Sequence, residues 1–278
     1  MKHRIPDSRI VLTGASSGIG RQLALQLGAM GAKLVLNARR SELLESLRKE
    51  IPTAAVELVP GDITLQTTRE AILQRAADVF GGLDILINNA GGAASGLFET
   101  GSPERLTKVM NLNFVSMVEM TRLALPYLKQ KTTTAPMIVN LSSIVGVRGV
   151  THYSEYCAAK FAVRGFSEAL RTELDRYGID VLVVQPGSTD TEFFTRYIEN
   201  TGEPTWPNHS RVSPQYVARR IVRAIQQGKH QIMPFFLGHI MCFLSNNTPG
   251  FMDWVMLQYA RKGIQKEELK TEKTGEES

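Results

Sequence analysis

Short, almost entirely apolar runs alternate with longer segments of helical periodicity along most of this 278-residue chain. Apolar runs of this kind indicate strands that are buried on both faces of a parallel sheet, and the segments between them supply the crossover helices. We therefore predict a single doubly wound α/β domain of the Rossmann type, in which helices flank a parallel seven-stranded sheet. The predicted strands are residues 9–13, 33–37, 55–59, 84–88, 136–141, 180–185 and 229–234, and the predicted helices are residues 19–31, 41–50, 65–80, 103–130, 154–177 and 213–227.

The predicted domain spans residues 8–232, and the segments near its end differ in composition from the rest. A turn-rich stretch at about residues 190–212 follows the sixth strand, where a nucleotide-binding sheet places a substrate lid. Residues 233–262 are apolar and are predicted to form two short helices, broken near Pro249, as a C-terminal extension. The charged residues 263–278 are predicted to be disordered. The lid carries the aromatic residues Phe193, Phe194, Tyr197 and Trp206.

The overall charge and the cysteine content argue against several classes of protein. Lys and Arg total 32 against 27 Asp and Glu, and this excess is spread along the chain, which argues against nucleic acid as a partner. The two cysteines, Cys157 and Cys242, are too few for a disulfide framework or a metal site, so no metal is predicted and a reducing, cytoplasmic compartment is expected. No secretion signal is expected at the N-terminus, and no apolar run is long enough to predict a membrane-spanning helix.

The sequence TGASSGIG, at residues 13–20, lies between the first predicted strand and the first predicted helix. Its three glycines permit a tight turn and let backbone N–H groups approach a pyrophosphate, while the helix N-terminus adds partial positive charge. A plain turn between a strand and a helix is the alternative. The position at the start of the sheet favours a dinucleotide-binding site.

Residues after the second and third strands bear on which dinucleotide is bound. Ala38 lies where an enzyme that binds the ribose 2′-hydroxyl carries an acid, and Arg39 and Arg40 follow it. This pattern favours the 2′-phosphate of NADP(H), with NAD(H) as the alternative. Arg40 could instead do no more than begin a solvated helix. Asp62 either accepts a hydrogen bond from the adenine amino group or caps the helix that follows it.

Tyr156 and Lys160 are four residues apart in YCAAK, downstream of the serine pair Ser142 and Ser143. On a helix this spacing places a phenol beside an ammonium group, whose positive charge favours the phenolate. The pair therefore predicts an acid/base. The alternative is a solvated helix face, which is what most pairs at this spacing are.

Taken together, these features resemble the short-chain dehydrogenase/reductase family over about residues 8–232. The glycine loop is similar to the TGxxxGxG loop of that family. The further matches are NNAG at residues 88–91, Ser143 as the serine, Tyr156 and Lys160 as YxxxK, and PGSTDT at residues 186–191 as the PGxxxT turn.

The resemblance implies four catalytic residues, which are Asn113, Ser143, Tyr156 and Lys160. Ser143 is preferred to Ser142 because the family usually places its serine thirteen residues before the tyrosine. Counting back eight residues from Thr121, a threonine that the family often keeps, selects Asn113, and Asn111 is the fallback.

The resemblance also implies a role for each of these groups. Tyr156 would give a proton to a carbonyl oxygen or take one from an alcohol, and Ser143 would bind that oxygen. Lys160 would lower the pKa of the phenol and hold the nicotinamide ribose, and Asn113 would fix a water for reprotonation. The residues implied to bind the cofactor are Gly14, Ser16, Ser17, Gly18, Ile19, Gly20, Arg39, Arg40, Asp62, Ile63, Asn89, Ala90, Gly91, Tyr156, Lys160, Pro186, Gly187, Thr189 and Thr191.

The function implied is that of an NADP(H)-dependent oxidoreductase that interconverts a carbonyl and an alcohol. The lid aromatics and the apolar extension favour a lipophilic ketone or aldehyde as substrate. A catalytically silent sensor or scaffold that binds NADP(H) is the alternative function. For the extension, three interpretations stay open: packing over the substrate site, the interface of a homodimer or homotetramer, or peripheral contact with a membrane.

Overall fold

A computed structural model of the protein describes residues 3–51, 55–130, 132–202 and 211–261. Its strands are β1 (Arg9–Thr13), β2 (Lys33–Ala38), β3 (Val56–Pro60), β4 (Ile85–Asn88), β5 (Met137–Leu141), β6 (Asp180–Val184) and β7 (Gln231–Ile232). They form one parallel sheet in the order β3-β2-β1-β4-β5-β6-β7. The predicted seven-stranded doubly wound sheet is confirmed.

Helices cover both faces of the sheet. They are α1 (Gly18–Ala29), α2 (Ser41–Lys49), α3 (Gln66–Phe80), α4 (Arg105–Met110), α5 (Ser116–Leu128), α6 (Ser154–Leu174), α7 (Pro214–Gln227), α8 (Phe236–Asn247) and α9 (residues 249–261). Gly81, Gly178 and Gly228 are left-handed caps at helix ends, where glycine avoids the strain of a side chain. Each cap turns the chain back towards the next strand.

The core lies in two layers, one on each face of the sheet. On one face Ile10 and Leu12 of β1 pack in the same cluster as side chains of α1, α2 and α7. On the other face Val11 packs with α3, α5 and α6. Because successive strand residues point to opposite faces and both faces are covered, every residue of β1 is buried. This burial explains why the strands read as unbroken apolar runs.

The predicted helix over residues 103–130 is not a regular helix in the structure. It consists of α4, a π-helical turn at Asn111–Val115, and α5. A π turn holds one more residue than the corresponding α-helical turn and shifts the residues after it around the helix axis. The apolar pattern of this segment did not reveal that extra residue.

The strand order reverses direction between β1 and β4. From β1 the chain moves outwards to β2 and β3, and it then returns to place β4 on the other side of β1. In such sheets the crevice at the carboxyl ends of the two strands beside the reversal is where a ligand binds. The residues that follow β1 and β4 are therefore positioned to face one cleft.

The end of the chain forms the paired helices α8 and α9, which meet at Thr248. Along the described residues, no helix has the length and apolarity needed to cross a bilayer. The predicted lid is described at residues 190–202 and 211–212, so Trp206 lies outside the described residues. The same is true of the predicted disordered tail at residues 263–278.

Candidate active site

A cavity of about 1700 Å³ runs along the carboxyl ends of the strands. Its lining includes every residue predicted to bind the cofactor, as well as Ser143. Motifs that are far apart in the sequence therefore meet around one space. Asn113 lies just behind this wall, whereas the fallback residue Asn111 lines the cavity itself.

The glycine loop packs so closely that its glycine positions leave no room for a side chain. A Cβ atom on Gly20 would lie 2.2 Å from the carbonyl oxygen of Gly14, and one on Gly14 would lie 2.8 Å from Cα of Ala90. Gly14 and Gly18 also have positive φ angles of 67° and 54°. The start of α1 therefore presents backbone to the cavity, which is the cradle that a pyrophosphate requires.

Arg39 and Arg40 have different environments at the end of β2. Arg39 is exposed at the wall of the cavity. Arg40 donates to the hydroxyl of Ser17 at 2.9 Å and to that of Ser16 at 3.2 Å, and its Nη1 lies 2.8 Å from a carboxylate oxygen of Glu192. Arg40 thus joins the glycine loop to the first residues of the predicted lid, so it does more than begin a solvated helix.

Two further residues predicted to bind the cofactor hold the backbone of the cleft. An oxygen of Asp62 accepts from the backbone N–H of Thr64 at 2.9 Å and from its hydroxyl at 2.8 Å, so the carboxylate caps this turn and also lines the cavity. Asn89 donates to the carbonyl oxygens of Thr13 and Gly14, each at 3.0 Å. The amide of Asn89 therefore fixes the loop after β4 against the glycine loop.

Tyr156 and Lys160 lie on the first two turns of α6 and are almost fully buried. The ammonium nitrogen of Lys160 is 5.5 Å from the centroid of the Tyr156 ring and donates to the carbonyl oxygen of Leu141 at 3.0 Å. Ser143, two residues after β5, lies within hydrogen-bond reach of the phenol. The three groups converge on one point of the cavity wall.

Burial dominates the protonation of this group of side chains. It raises the pKa of Tyr156 well above the ordinary value of 10.0, and the hydrogen bond with Ser143 opposes this shift. It also lowers the pKa of Lys160 from 10.5 to about 8. The sequence led us to expect that Lys160 lowers the pKa of the phenol. In this structure burial of the phenol has the largest effect on its pKa, and the ammonium group donates to the carbonyl oxygen of Leu141.

Asn113 lies within the π turn and is 2% exposed. Its Nδ2 donates to the carbonyl oxygens of Gly92 at 2.7 Å and Val109 at 2.9 Å, and its Oδ1 accepts from the N–H of Gly92 at 3.2 Å. A Cβ atom on Gly91 would lie 2.8 Å from this Oδ1 and 3.5 Å from the nitrogen of Lys160. Asn113 and Lys160 therefore border the same glycine, and the extra residue of the π turn places the amide there.

The turn after β6 closes one end of the cavity. Gly187 packs against Phe235, since a Cβ atom there would lie 2.8 Å from the Phe235 ring. The hydroxyl of Thr189 donates to the carbonyl oxygen of Gly187 at 3.0 Å. A Cβ atom on Gly18 would lie 2.9 Å from the methyl group of Thr191, so this turn touches the glycine loop directly.

The other end of the cavity is lined by aromatic and apolar side chains. The ring of Phe193 lies 5.5 Å from that of Tyr156, and the hydroxyls of Tyr153 and Tyr197 are 2.9 Å apart. Burial raises the pKa of Tyr153, so this phenol keeps its proton. The wall is completed from the C-terminal helices by Met241 and Tyr259.

Sequence reasoning missed two polar networks beside the site. One is a buried pair between Arg105 and Glu155, whose shortest N–O distance is 2.7 Å. The other links β4 and β5 to the helices through bonds of 2.9 to 3.0 Å among Asn88, Thr121, Asn140 and Ser167. An acid immediately before Tyr156 and an asparagine in each of two apolar strands were the signals available in the sequence.

Several known proteins are similar to this chain. The family model described as short chain dehydrogenase matches residues 8–202. A mouse protein named dehydrogenase/reductase SDR family member 7 is 35% identical over 195 residues, which is 68% of this chain and 57% of the mouse protein. An uncharacterized oxidoreductase from Staphylococcus aureus strain MRSA252 is 30% identical over 81% of this chain and 94% of its own length. This chain thus matches little more than half of the mouse relative.

Two solved structures share the fold. One is a short-chain dehydrogenase/reductase from Burkholderia phymatum in complex with NAD, with a TM-score of 0.80 and 22% identity over 89% of this chain and 96% of that chain. The other is a short-chain dehydrogenase from Burkholderia cenocepacia in complex with NADP, with a TM-score of 0.77 and 24% identity over 91% and 99%. At these identities the likeness is one of fold.

Proposed function

The chain belongs to the short-chain dehydrogenase family, and from this premise we propose that it is an NADP(H)-dependent oxidoreductase that interconverts a carbonyl and an alcohol. The observation that carries the proposal is the convergence of Ser143, Tyr156 and Lys160 on the same cavity as the glycine loop. The glycine loop fits a dinucleotide because its backbone is exposed where no Cβ atom has room. NAD(H) is the alternative cofactor, since proteins of this fold were solved with either dinucleotide.

Each part of the cofactor has candidate residues along the cavity. Backbone at the start of α1 would hold the pyrophosphate, and the exposed guanidinium of Arg39 would hold the 2′-phosphate. Asp62 and Ile63 would border the adenine, and the turn from Pro186 to Thr191 would border the nicotinamide. When bound, the nicotinamide supplies or accepts the hydride of the reaction.

The protein's own residues handle the proton. The phenol of Tyr156 is protonated at neutral pH, so its hydroxyl would donate a proton to a carbonyl oxygen, although burial raises its pKa and makes it a weaker acid. Ser143 would donate a hydrogen bond to the same oxygen and so orient it. Lys160, with a pKa of about 8, would return a proton to the phenol, and Asn113 would hold the water that links Lys160 to solvent.

The substrate end of the cavity favours a lipophilic ketone or aldehyde. Phe193, Tyr197, Met241 and Tyr259 line it and bring large apolar surfaces to the space beside Tyr156. We propose that residues 190–212 form a lid over this end. The C-terminal helices would form its outer wall.

The test is turnover of NADPH with a panel of lipophilic ketones and aldehydes. Tyr156→Phe should lower kcat by about 100-fold to 10,000-fold, because it removes the proton donor while keeping the ring. Tyr153→Phe is the matched control, since it removes a neighbouring hydroxyl of the same cavity, and its kcat should stay within about tenfold of wild type. Equal losses in the two variants would contradict the role of Tyr156. Binding of NADPH without turnover would favour the sensor or scaffold.

The outer face of the C-terminal helices is apolar as well, and this supports an oligomer. Its side chains are between 44% and 65% exposed, and they are Ile240, Phe243, Phe251, Trp254 and Leu257. We propose that this face lies in the interface of a homodimer or homotetramer, with peripheral membrane contact as the alternative. Sedimentation with and without lipid vesicles separates the two. A cytoplasmic location stays a prediction.

A further inference from the structure

Arg105, the first residue of α4, is 1% exposed although its guanidinium carries a full charge. Its Nε donates to Oε1 of Glu155 at 2.8 Å, and its Nη2 lies 2.7 Å from the same oxygen. Nη2 also donates to the carbonyl oxygen of Leu97 at 3.0 Å. The side chain fits only because residue 101 is glycine, where a Cβ atom would lie 2.1 Å from the guanidinium carbon.

The remaining nitrogen of Arg105 faces the predicted lid. Its Nη1 donates to the hydroxyl of Thr201 at 3.2 Å and lies 3.9 Å from a carboxylate oxygen of Glu199. Glu199 also accepts from the backbone N–H of Ser102 at 2.8 Å and from the Ser102 hydroxyl. These bonds from Ser102 lower the pKa of Glu199, so this carboxylate stays charged beside the guanidinium.

The middle of the predicted lid is also joined to the loop after β4 through its backbone. The N–H of Ser95 donates to the carbonyl oxygen of Glu199 at 2.9 Å, and that of Thr201 donates to the carbonyl oxygen of Ser95 at 2.9 Å. The N–H of Ile198 donates to the carbonyl oxygen of Ala93 at 2.7 Å. Residues 198–202 therefore run alongside residues 93–96, with Arg105 bound to the same unit.

Glu155 immediately precedes Tyr156 in the first turn of α6. One guanidinium therefore contacts both the start of the helix that carries Tyr156 and the middle of the predicted lid. A buried ion pair is in itself weak support for stability, because apolar residues of similar size often replace one without loss. What the pair adds here is a fixed position for two elements relative to each other.

We propose that Arg105 is a positioning residue, which holds Tyr156 and the lid in one geometry around the substrate. The proposal rests on the oxidoreductase function proposed above. Through Glu155 it sets the start of α6 and hence the direction of the phenol. Through Thr201 and Glu199 it fixes the middle of the lid. Loss of Arg105 should therefore lower kcat and raise KM, whereas loss of one partner should affect mainly one of the two constants.

The experiment compares three variants in the full-length chain, Arg105→Met, Glu155→Gln and the double variant of both. Arg105→Met leaves the carboxylate of Glu155 buried without its cation, so its Tm should fall clearly. The double variant removes that uncompensated charge and should regain much of the lost Tm. Its kcat should nevertheless stay at least about tenfold below wild type, because small displacements of a reacting group are costly. Recovery of kcat together with Tm would overturn the proposal, since stability alone would then explain the loss.

Two further variants separate the contact of Arg105 with Glu155 from its contacts with the lid. Arg105→Lys keeps one charge beside Glu155 but cannot form the forked contacts to Leu97 and Thr201. It should regain most of kcat while KM stays raised. Glu199→Gln should raise KM by a larger factor than it lowers kcat. Equal changes of kcat and KM in both variants would contradict the assignment of the two sets of contacts.

Trypsin provides a readout that does not depend on turnover. Arg196 lies in the lid with its side chain 60% exposed, so cleavage there reports how firmly the lid is held. Arg105→Met should be cleaved at Arg196 several times faster than wild type, and the double variant should remain fast although its Tm recovers. If wild type binds NADPH but turns over nothing, the oxidoreductase function fails. An unchanged cleavage rate would then still refute the positioning role.

Discussion

The two ends of the cavity are built in different ways. The cofactor end is made of backbone, where Gly14 and Gly20 leave no room for a Cβ atom. The proposed substrate end is made of side chains such as Phe193, Met241 and Tyr259, which come from three segments of the chain. Backbone geometry restricts what can change at the first end, while the second can change one side chain at a time. The cofactor end is therefore suited to a ligand that does not vary, and the proposed substrate end can be adapted to a specific substrate.

The largest effect is expected at the most crowded point of the cofactor end. Gly20→Ala places a methyl group 2.2 Å from the carbonyl oxygen of Gly14, so the loop must move. We expect kcat/KM for NADPH to fall by about 100-fold or more, since a displacement of about 1 Å can cost that much. Steady-state kinetics measure it. Gly165→Ala is the matched control, because this helical glycine has open space around its Cβ position and alanine should gain up to about 1 kcal/mol of stability there.

The second effect concerns the two arginines at the end of β2. Arg39→Ala should weaken the binding of NADPH by about 1.5 to 3 kcal/mol and leave the binding of NADH nearly unchanged, because it removes charged hydrogen bonds to the 2′-phosphate alone. Arg40→Ala should weaken the binding of both cofactors, since Arg40 forms hydrogen bonds to Ser16 and Ser17 as well as to Glu192. Michaelis constants for both dinucleotides in both variants decide this. Equal losses of NADPH and NADH in Arg39→Ala would show that Arg39 does not contact the 2′-phosphate.

The third effect concerns the point where the two ends meet. Lys160 has a pKa of about 8, and the pKa of Tyr156 is raised, so the lysine is the group that loses its proton first as pH rises. The kcat/KM for carbonyl reduction should therefore be constant at low pH and fall by about tenfold per pH unit above about pH 8. Lys160→Arg should retain a low activity without this fall, because a guanidinium stays protonated. A pH profile of the same shape in both proteins would assign the ionisation to another group.

The smallest effect is expected at the substrate end. Met241→Ala removes part of one apolar wall and should raise KM for a bulky lipophilic ketone by about threefold to tenfold, which is about 1 kcal/mol of lost contact. The KM for NADPH should not change. Phe243→Ala is the matched control, since Phe243 is in the same helix but 65% exposed on its outer face. If both variants changed KM alike, α8 would not form a wall of the substrate site.

The features that could be predicted from the sequence are those formed by residues close together along the chain. Each strand appears as its own apolar run, and the glycine loop as one stretch at residues 13–20. The features that the sequence did not predict are contacts between segments far apart along the chain. Arg40 meets Glu192 across 152 positions, and Arg105 meets Glu155 across 50. Local periodicity contains no information on such pairs, and for the same reason it did not show that burial would govern the protonation of Tyr156.

The π turn at Asn111–Val115 makes chain length, as well as residue identity, a determinant of the site. A turn of this kind is equivalent to an insertion of one residue into a continuous helix. Deleting one residue within it would let α4 and α5 merge into one regular helix with their faces still aligned, but the widened turn that positions residue 113 would be lost. The amide of Asn113 would then leave Gly92 even though no functional side chain had been replaced. At this position a gap in the chain would do more damage than most substitutions.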